Sequence, residues 1–408
     1  MEKDVRPIRI DESAPDLPAL HYVYPIGHSV PDPQALLRVI RPSVRAITHL
    51  GWGIDQVAGD AVPLDSSSGA LTGEQWLPST RGGRPLRVHR AKSLDALCRR
   101  YGQFLSRLRD DKWTPVAPLS EFDYVNYRRD TDPLGRPWRA FKLVDPNDDT
   151  CTHPQARLIH LAGMLRHLAI EAMRKNPPRG VHEPARWLEQ YIAGHRDKAQ
   201  AAVDAHHAQL SYVPLPSVGH VQTDPGVRRV MIVAPFGDEA ILEHVASQLD
   251  GRRLMPERAE QLRGLVSLSR VRHDGVTDCY TTRSRTWASL TPVILPGHDD
   301  RKPEKTKKLI RKALSQSGID QPCRFEWSAF SHFPKSYSAH QYVRDEHAKG
   351  RRRLVGYIRP DHLAELSSVH LRLRFDHPVP GPLTIGAGRH CGFGLMVGIK
   401  DGVMTHTT

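Results

Sequence analysis

A chain of 408 residues with 39% apolar side chains has room for two or three domains, each with an ordinary core. Its 58 Lys and Arg against 45 Asp and Glu leave a net charge of +13, a balance that points to a polyanionic partner. No run approaches the ~18 apolar residues of a membrane span, and no apolar segment follows Met1-Glu-Lys-Asp to make a secretory signal. The five cysteines (Cys98, Cys151, Cys279, Cys323, Cys391) are scattered and form no C-x-x-C pair. That argues against a disulfide framework and a cysteine zinc site, and makes the cytoplasm the expected compartment, with no membrane partner.

In chain order, Tyr22-Val-Tyr-Pro25 reads as a short strand. Pro33 to Leu50 has helical spacing, with Pro42 as a kink or break. Gly51 to Asp55 turns into a strand, and loops follow at 65–69 and 80–85. Ser93 to Leu108 reads as a helix capped by Ser93, with Leu94, Leu97, Tyr101, Phe104, Leu105 and Leu108 on one face. The clearest helix is Gln155 to Arg174, with the stripe Leu158, Leu161, Leu165, Leu168 and Met173, stopped by Pro177-Pro178. Helical texture gives way to Pro and strand residues near Asp204 to Ser211, so the domains are expected to be 1–205 and 206–408. The second half then reads strand (Arg229 to Pro235), helix (Asp238 to Leu249), strand (Trp287 to Leu295), helix (Pro303 to Ser317) and strands (Arg353 to Ile358, Val369 to Phe375). The last strand alternates Val369, Leu371, Leu373 and Phe375 with His370, Arg372 and Arg374. This β-α-β-β-α-β order predicts an α+β fold with a ferredoxin-like unit.

Three segments carry chemistry. Gly386-Ala-Gly-Arg-His-Cys-Gly-Phe-Gly394 sets Gly386, Gly388, Gly392 and Gly394 around Arg389 and His390. Glycines let backbone N–H groups approach a phosphate, and Arg389 can fork onto it. An apolar strand follows rather than a helix, which rules out a dinucleotide fingerprint; the alternative is a glycine-rich hairpin with no ligand. Tyr212-Val-Pro-Leu-Pro-Ser-Val-Gly-His220 places His220 in a loop before a strand, where an imidazole is catalyst or bystander. Arg324 to Tyr342 interleaves Phe325, Trp327, Phe330, Phe333, Tyr337 and Tyr342 with Arg324, His332, Lys335 and His340. That mixture suits single-stranded RNA, although Phe325 and Trp327 read more readily as core. Between Arg301 and Phe375 stand 17 basic and 7 acidic residues, including Arg351, Arg352 and Arg353; this is a polyanion track or a solvated face. His273-Asp274 and His298-Asp299 hint at a metal-dependent phosphohydrolase but lack further ligands. No G-x-x-x-x-G-K-[ST] or G-x-S-x-G element is present.

Taken in order, Ile47-Thr-His-Leu-Gly-Trp-Gly-Ile-Asp55, Ser211 to His220, Arg228-Arg-Val-Met-Ile-Val233, Trp287-Ala-Ser-Leu-Thr-Pro-Val293, His332-Phe-Pro-Lys335 and Gly381 to Gly394 resemble the Cas-five/Cas-six fusion protein of type I-U (I-G) CRISPR systems, within the RAMP superfamily. The resemblance implies tandem ferredoxin-like (RRM/RAMP) modules with a helical insertion between them. The second would cut CRISPR repeat RNA without metal or cofactor; the first would cap one end of the guide RNA (crRNA) in a Cascade complex. The backbone and large subunits would then be partners, with target DNA met through the complex. It implies catalysis by His220, with His390, His332 and Lys335 as the other candidates. Phosphate would be held by Gly386, Gly388, Arg389, Gly392 and Gly394, and RNA more widely by Arg324, Tyr337 and Arg351 to Arg353. The rival is a non-catalytic crRNA-binding subunit of the same fold.

Overall fold

The computed structural model describes residues 22–24, 32–50, 55–63, 75–79, 84–106, 121–129, 131–132, 134–195, 209–218, 224, 226–256, 262, 264–271, 274–348, 350 and 354–399. The chain forms two compact units, Met1–Glu74 and Gln75–Thr408. In the first, helix α1 (Pro33–Arg45) starts on Asp32, whose carboxylate accepts from the N–H groups of Gln34 (2.9 Å) and Ala35 (3.0 Å), with Pro33 at the position that needs no N–H. The helix runs through Pro42 and ends at Arg45, short of the expected Leu50; His49–Leu50 instead pairs with Asp55–Gln56 as strands β1 and β2. Arg41 and Arg45, one turn apart, both fork onto Asp60 and hold its carboxyl well below the usual range.

The larger unit opens with a three-stranded antiparallel sheet. Its strands are β3 (Trp76–Pro78), β4 (Arg84–His89) and β5 (Phe122–Arg129), with β5 central. Helix α2 (Ser93–Ser106) follows β4, and Ser93 closes its start by accepting from Arg90 N–H at 2.8 Å.

Next comes a β-α-β-β-α-β module. It contains β6 (Trp138–Val144), α3 (Leu158–Lys175), β7 (Ser211–Pro216), β8 (Val227–Val233), α4 (Glu239–Leu249) and β9 (Ser267–Val271). The sheet order is β7-β8-β6-β9, every pair antiparallel, which is the ferredoxin-like arrangement. Alternation along the strands explains both faces. Phe141, Leu143, Val230 and Ile232 pack on Leu161, Leu165 and Leu168 of α3 and on Leu242 and Val245 of α4. Each such burial is worth about 1.5–3 kcal/mol. Ala140, Val213, Leu215, Met231 and Val233 point the other way and meet Leu290, Leu395 and Val397 of the next module and Tyr280 of the short helix that leads into it. Burial on both faces is why β8 reads as an unbroken apolar run.

That next module follows a short helix, α5 (Gly275–Thr281). It has β10 (Arg283–Ser289), its continuation β11 (Val293–Ile294), α6 (Pro303–Gln316), β12 (Cys323–Ser328), β15 (Ser368–Pro380) and β16 (Met396–Ile399). An excursion between β12 and β15 holds the parallel pair β13 (Tyr342–Arg344) and β14 (Tyr357–Arg359). The order β12-β15-β10-β16 repeats the first module's order. Helix α6 covers one face through Ile310, Ala313 and Leu314, against Trp287, Leu371 and Leu373. Where the first module has its second helix, this one has residues 381–395, the glycine-rich segment.

The α+β class and the tandem ferredoxin-like plan hold, but the grouping of elements differs from the sequence expectation. The strand at Arg229 and the helix after it complete the first module rather than opening the second. The helix beginning at Leu158 is that module's first helix. The sheet crosses the expected division at 205/206, because β6 lies between β8 and β9. The strand expected at Arg353 to Ile358 is β14, outside the main sheet. Among the described residues no helix is long and apolar enough to cross a membrane.

Candidate functional site

A cleft of about 420 Å³ opens where the β6–α3 connection, the end of the β7–β8 connection and the excursion after β12 converge. Thr152, Gln155, Asp224, Gly226, Lys335 and Tyr337 line it. Two of the expected residues, Lys335 and Tyr337, are thus brought together. Lys335 takes a left-handed backbone, φ +62°, costly for a residue with a Cβ. Gln155 pins it by donating from Nε2 to the Lys335 carbonyl at 2.6 Å. Asp224 faces the same space, and the Gly226 N–H, then Arg228, then the Lys335 charge hold its carboxyl below the usual range. Tyr337 sets its ring edge-on to Tyr357 at 5.2 Å, and Tyr357 meets Phe393 of the glycine-rich segment at 6.0 Å. An aromatic line therefore joins the cleft to that segment. His220 and Arg351 to Arg353 lie outside the described residues. His332 stands apart from the cleft lining; burial and then the charge of Arg372 push its imidazole pKa down, favouring the neutral base.

The glycine-rich segment corrects the expectation placed on it. Gly386, Gly388, Gly392 and Gly394 are buried, and a Cβ on each would strike the protein itself. At Gly394 (φ +63°) it would lie 1.8 Å from the Ile385 carbonyl oxygen, and at Gly386 (φ +95°) 2.4 Å from that of Ile294. The N–H groups of Ala387, Arg389, Cys391, Phe393 and Gly394 are bonded to backbone carbonyls of the same module. These glycines serve a tight internal turn, not a phosphate cradle. Gly388→Val would press into Phe393 Cβ, 2.7 Å from a Cβ at that position. We expect it to cost about 1–3 kcal/mol by overpacking, visible as a lower Tm whether or not RNA is present. Arg389 is 5% exposed and donates from Nη1 to the Gly386 carbonyl at 3.1 Å. His390 straps the segment to the first module: its Nδ1 is 2.8 Å from Ser211 Oγ, and its carbonyl accepts from Tyr212 N–H at 3.0 Å.

On the face of the second sheet away from α6, Arg324 of β12 lies directly across from Arg374 of β15, with Arg372 two residues along. All three are exposed, and among the described residues none forms an ion pair. Glu326 lies directly across from Arg372 on the same exposed face, so Arg324 and Arg374 are the like-charge pair in register, a mildly destabilising one that a phosphate would offset. Phe325 and Trp327 on the opposite face pack on the α6 core, as their core reading anticipates.

The aspartates of the two His-Asp pairs have structural roles, while His273 lies outside the described residues. Asp274 caps α5 through Val276 and Thr277 N–H and pairs with Arg229 at 2.7 Å. Asp299 accepts from Thr306 Oγ1 (3.1 Å) and Ser367 Oγ (3.0 Å). Among the described residues no three His, Cys, Asp or Glu side chains are placed to hold a metal ion.

The model of the CRISPR-associated protein, GSU0054 family, matches residues 1–398. The chain belongs to that family. Among curated proteins none matches. Of solved structures, the chain is similar to a CRISPR RNA processing endoribonuclease Cas6b, at 11% identity and TM-score 0.24, over 64% of this chain and 99% of that one. It is also similar to Csf5, a CRISPR-Cas type IV Cas6 crRNA endonuclease, at 14% identity and TM-score 0.23, over the same 64% and 99%.

In this GSU0054-family chain, sequence reasoning missed Gln155 and Asp224. No local motif marks them; they reach their places through sheet topology. Arg372 and Arg374 did carry a signal, the strict alternation of β15.

Proposed function

We propose that this CRISPR-associated chain binds CRISPR repeat RNA and cuts it by attack of the RNA's own 2′-OH. The observation that carries the reading is the cleft: strained Lys335 and Tyr337 face Asp224, which follows His220 by four residues along the chain. In the reaction the 2′-oxygen bonds to phosphorus and the P–O5′ bond breaks. The 2′ proton passes to a base, and a proton is supplied to the 5′-oxygen. The products are a 2′,3′-cyclic phosphate and a 5′-hydroxyl. His220 serves as base or acid in this scheme, and Lys335 offsets charge on the phosphorane. Tyr337 stacks a base. Arg324, with Arg372 and Arg374, neutralises phosphates; Arg351 to Arg353 extend that track. His332 and His390 are the reserve acid–base candidates. Family membership supports a wider role, in which the N-terminal region caps the guide RNA within a Cascade-type complex. That complex brings in backbone and large subunits and target DNA.

A second reading has its own support: the described lining of the cleft contains no histidine, which suits a crRNA-binding subunit without catalysis. Repeat RNA incubated with the protein in EDTA separates the two. Cutting in EDTA is the expected result. Binding without cutting, with or without added manganese, would favour the non-catalytic subunit. Cutting only with manganese would mean a metal-dependent nuclease.

Binding itself should weaken steeply with salt. For single strands log K falls by about 0.7 per decade of salt for each phosphate neutralised. At least about four contacts, hence a slope near −3, are expected by that relation. Replacing both Arg324 and Arg374 by Ala should flatten the slope by about 1.4. A fluorescence-anisotropy slope near zero in the parent would remove the RNA-binding reading altogether.

A further inference from the structure

Residues 335–339, which bring Lys335 and Tyr337 to the cleft, belong to no helix or strand. Buried side chains, in place of a neighbouring strand, hold their alternate carbonyls. Gln155 Nε2 donates to the Lys335 carbonyl at 2.6 Å. Arg359 Nη2 (2.7 Å) and Ser368 Oγ (2.8 Å) donate to that of Ala339. Between them, His370 of β15 sets Nε2 3.0 Å from the Tyr337 carbonyl. Amide and guanidinium donors are fixed in kind. A neutral imidazole carries its one N–H on either nitrogen, so its tautomer decides whether the middle bond exists.

The surroundings select that tautomer. A carbonyl only accepts, so Nε2 must carry the proton. Nδ1 then presents a lone pair, 3.1 Å from Ser289 Oγ and 3.2 Å from the Ser289 carbonyl. Of these two only the hydroxyl can donate, and its oxygen in turn accepts from Leu371 N–H at 2.8 Å. The Ser289 carbonyl is left to Ser331 Oγ, at 3.0 Å. A neutral His370 thus satisfies both ring nitrogens, and burial keeps it neutral by pushing its pKa down. His370 is 3% exposed and Ser289 is fully buried, so neither can touch a bound strand. Packing alone would not ask for this arrangement, since a leucine of similar volume brings no polar atom to satisfy.

We propose that His370, its tautomer set by Ser289, is a positioning residue for the cleft: through the Tyr337 carbonyl it holds Tyr337 and neighbouring Lys335 in the geometry that RNA meets. Its effect on rate rests on the cleavage proposed above; its effect on the loop does not. A misplacement of about 1 Å by a change remote from the chemistry can cost about 10²-fold in rate.

The test uses the full chain with His370→Leu, which fills the space without a donor, and His370→Gln, whose amide can donate from near the place of Nε2. Hydrogen exchange read by mass spectrometry needs no RNA. In His370→Leu, exchange across residues 335–339 should quicken by about tenfold, the worth of one net hydrogen bond, while α6 on the far face of the sheet exchanges as in the parent. His370→Gln should return it to the parental rate. Single-turnover cutting of repeat RNA should fall by about 10²-fold in His370→Leu and recover in His370→Gln, with RNA affinity close to the parent's in both. Ser289→Ala keeps the ring but frees its tautomer; it should quicken exchange at 335–339 by a smaller factor, and it decides the matter if His370→Leu does not fold. The positioning role is overturned if exchange at 335–339 is parental in His370→Leu, if His370→Gln is no better than His370→Leu, or, where His370→Leu does not fold, if Ser289→Ala exchanges like the parent. A parent that cuts no RNA would end the cleavage reading and leave exchange to decide the role of His370.

Discussion

Repeat RNA carrying one 2′-deoxy nucleotide at the scissile position should bind this protein like the all-ribose strand and resist cutting completely. The substitution deletes the nucleophile and nothing else of consequence. In the proposed reading the exposed arginines Arg324, Arg372 and Arg374 meet phosphates, which the deoxy strand keeps. A ring stacked on Tyr337 does not sense the sugar hydroxyl. The all-ribose strand should leave a 2′,3′-cyclic phosphate on the upstream fragment, detectable by mass spectrometry. Cutting of the deoxy strand at the same bond would show that water attacks instead, and would redirect attention to a metal-activated hydroxide. Loss of binding together with cutting would mean that the groove reads the 2′-OH directly.

The second large effect is expected from His220→Ala. A positioned acid–base imidazole contributes about 10²–10⁴ to rate, so single-turnover cleavage should fall by that factor while repeat RNA still binds. In the parent the rate should vary between about pH 5 and 8, where an unperturbed imidazole titrates. If His220 is the base, the rate rises with pH through that window as the neutral form accumulates; if it is the acid, the rate falls. Near-parental cleavage by the variant would remove His220 from the mechanism. His332, whose burial already favours its neutral form, would then be the next base to replace. A variant that neither binds nor stays soluble would place His220 among the folding residues.

Local physics made much of the fold legible. The stripe Leu158, Leu161, Leu165, Leu168 recurs at helical spacing, and the helix lies where that spacing puts it. Likewise β15 alternates Leu371, Leu373 and Phe375 inward with Arg372 and Arg374 outward. Partnership was not legible. Trp138–Val144 carries Arg139 and Lys142 among its apolar residues and drew no reading as a strand, yet it is the centre of the first sheet. Without it, β8 and α4 were assigned to the wrong neighbours. The glycines of 386–394 show a second limit. A glycine reports that something comes close to the backbone, but the sequence does not say whether that is a phosphate or the chain's own carbonyl. Here it is Ile294 and Ile385. In the candidate site, Lys335 and Tyr337 were visible through composition, whereas Gln155 and Asp224 arrive from distant segments.

The apolar layer that both sheets share has a consequence for dissection of the molecule. Ala140, Val213 and Met231 of one sheet bury Leu290, Leu395 and Val397 of the other, so each module is the other's solvent shield. A fragment beginning at residue 206 would lose β6, leaving β8 and β9 without the strand between them, and would expose that shared layer to water. The two modules should therefore melt in one cooperative transition. If RNA spans them as proposed, it would meet two halves whose relative angle is set in advance, a fixed gauge of RNA shape rather than a pair of hands that close.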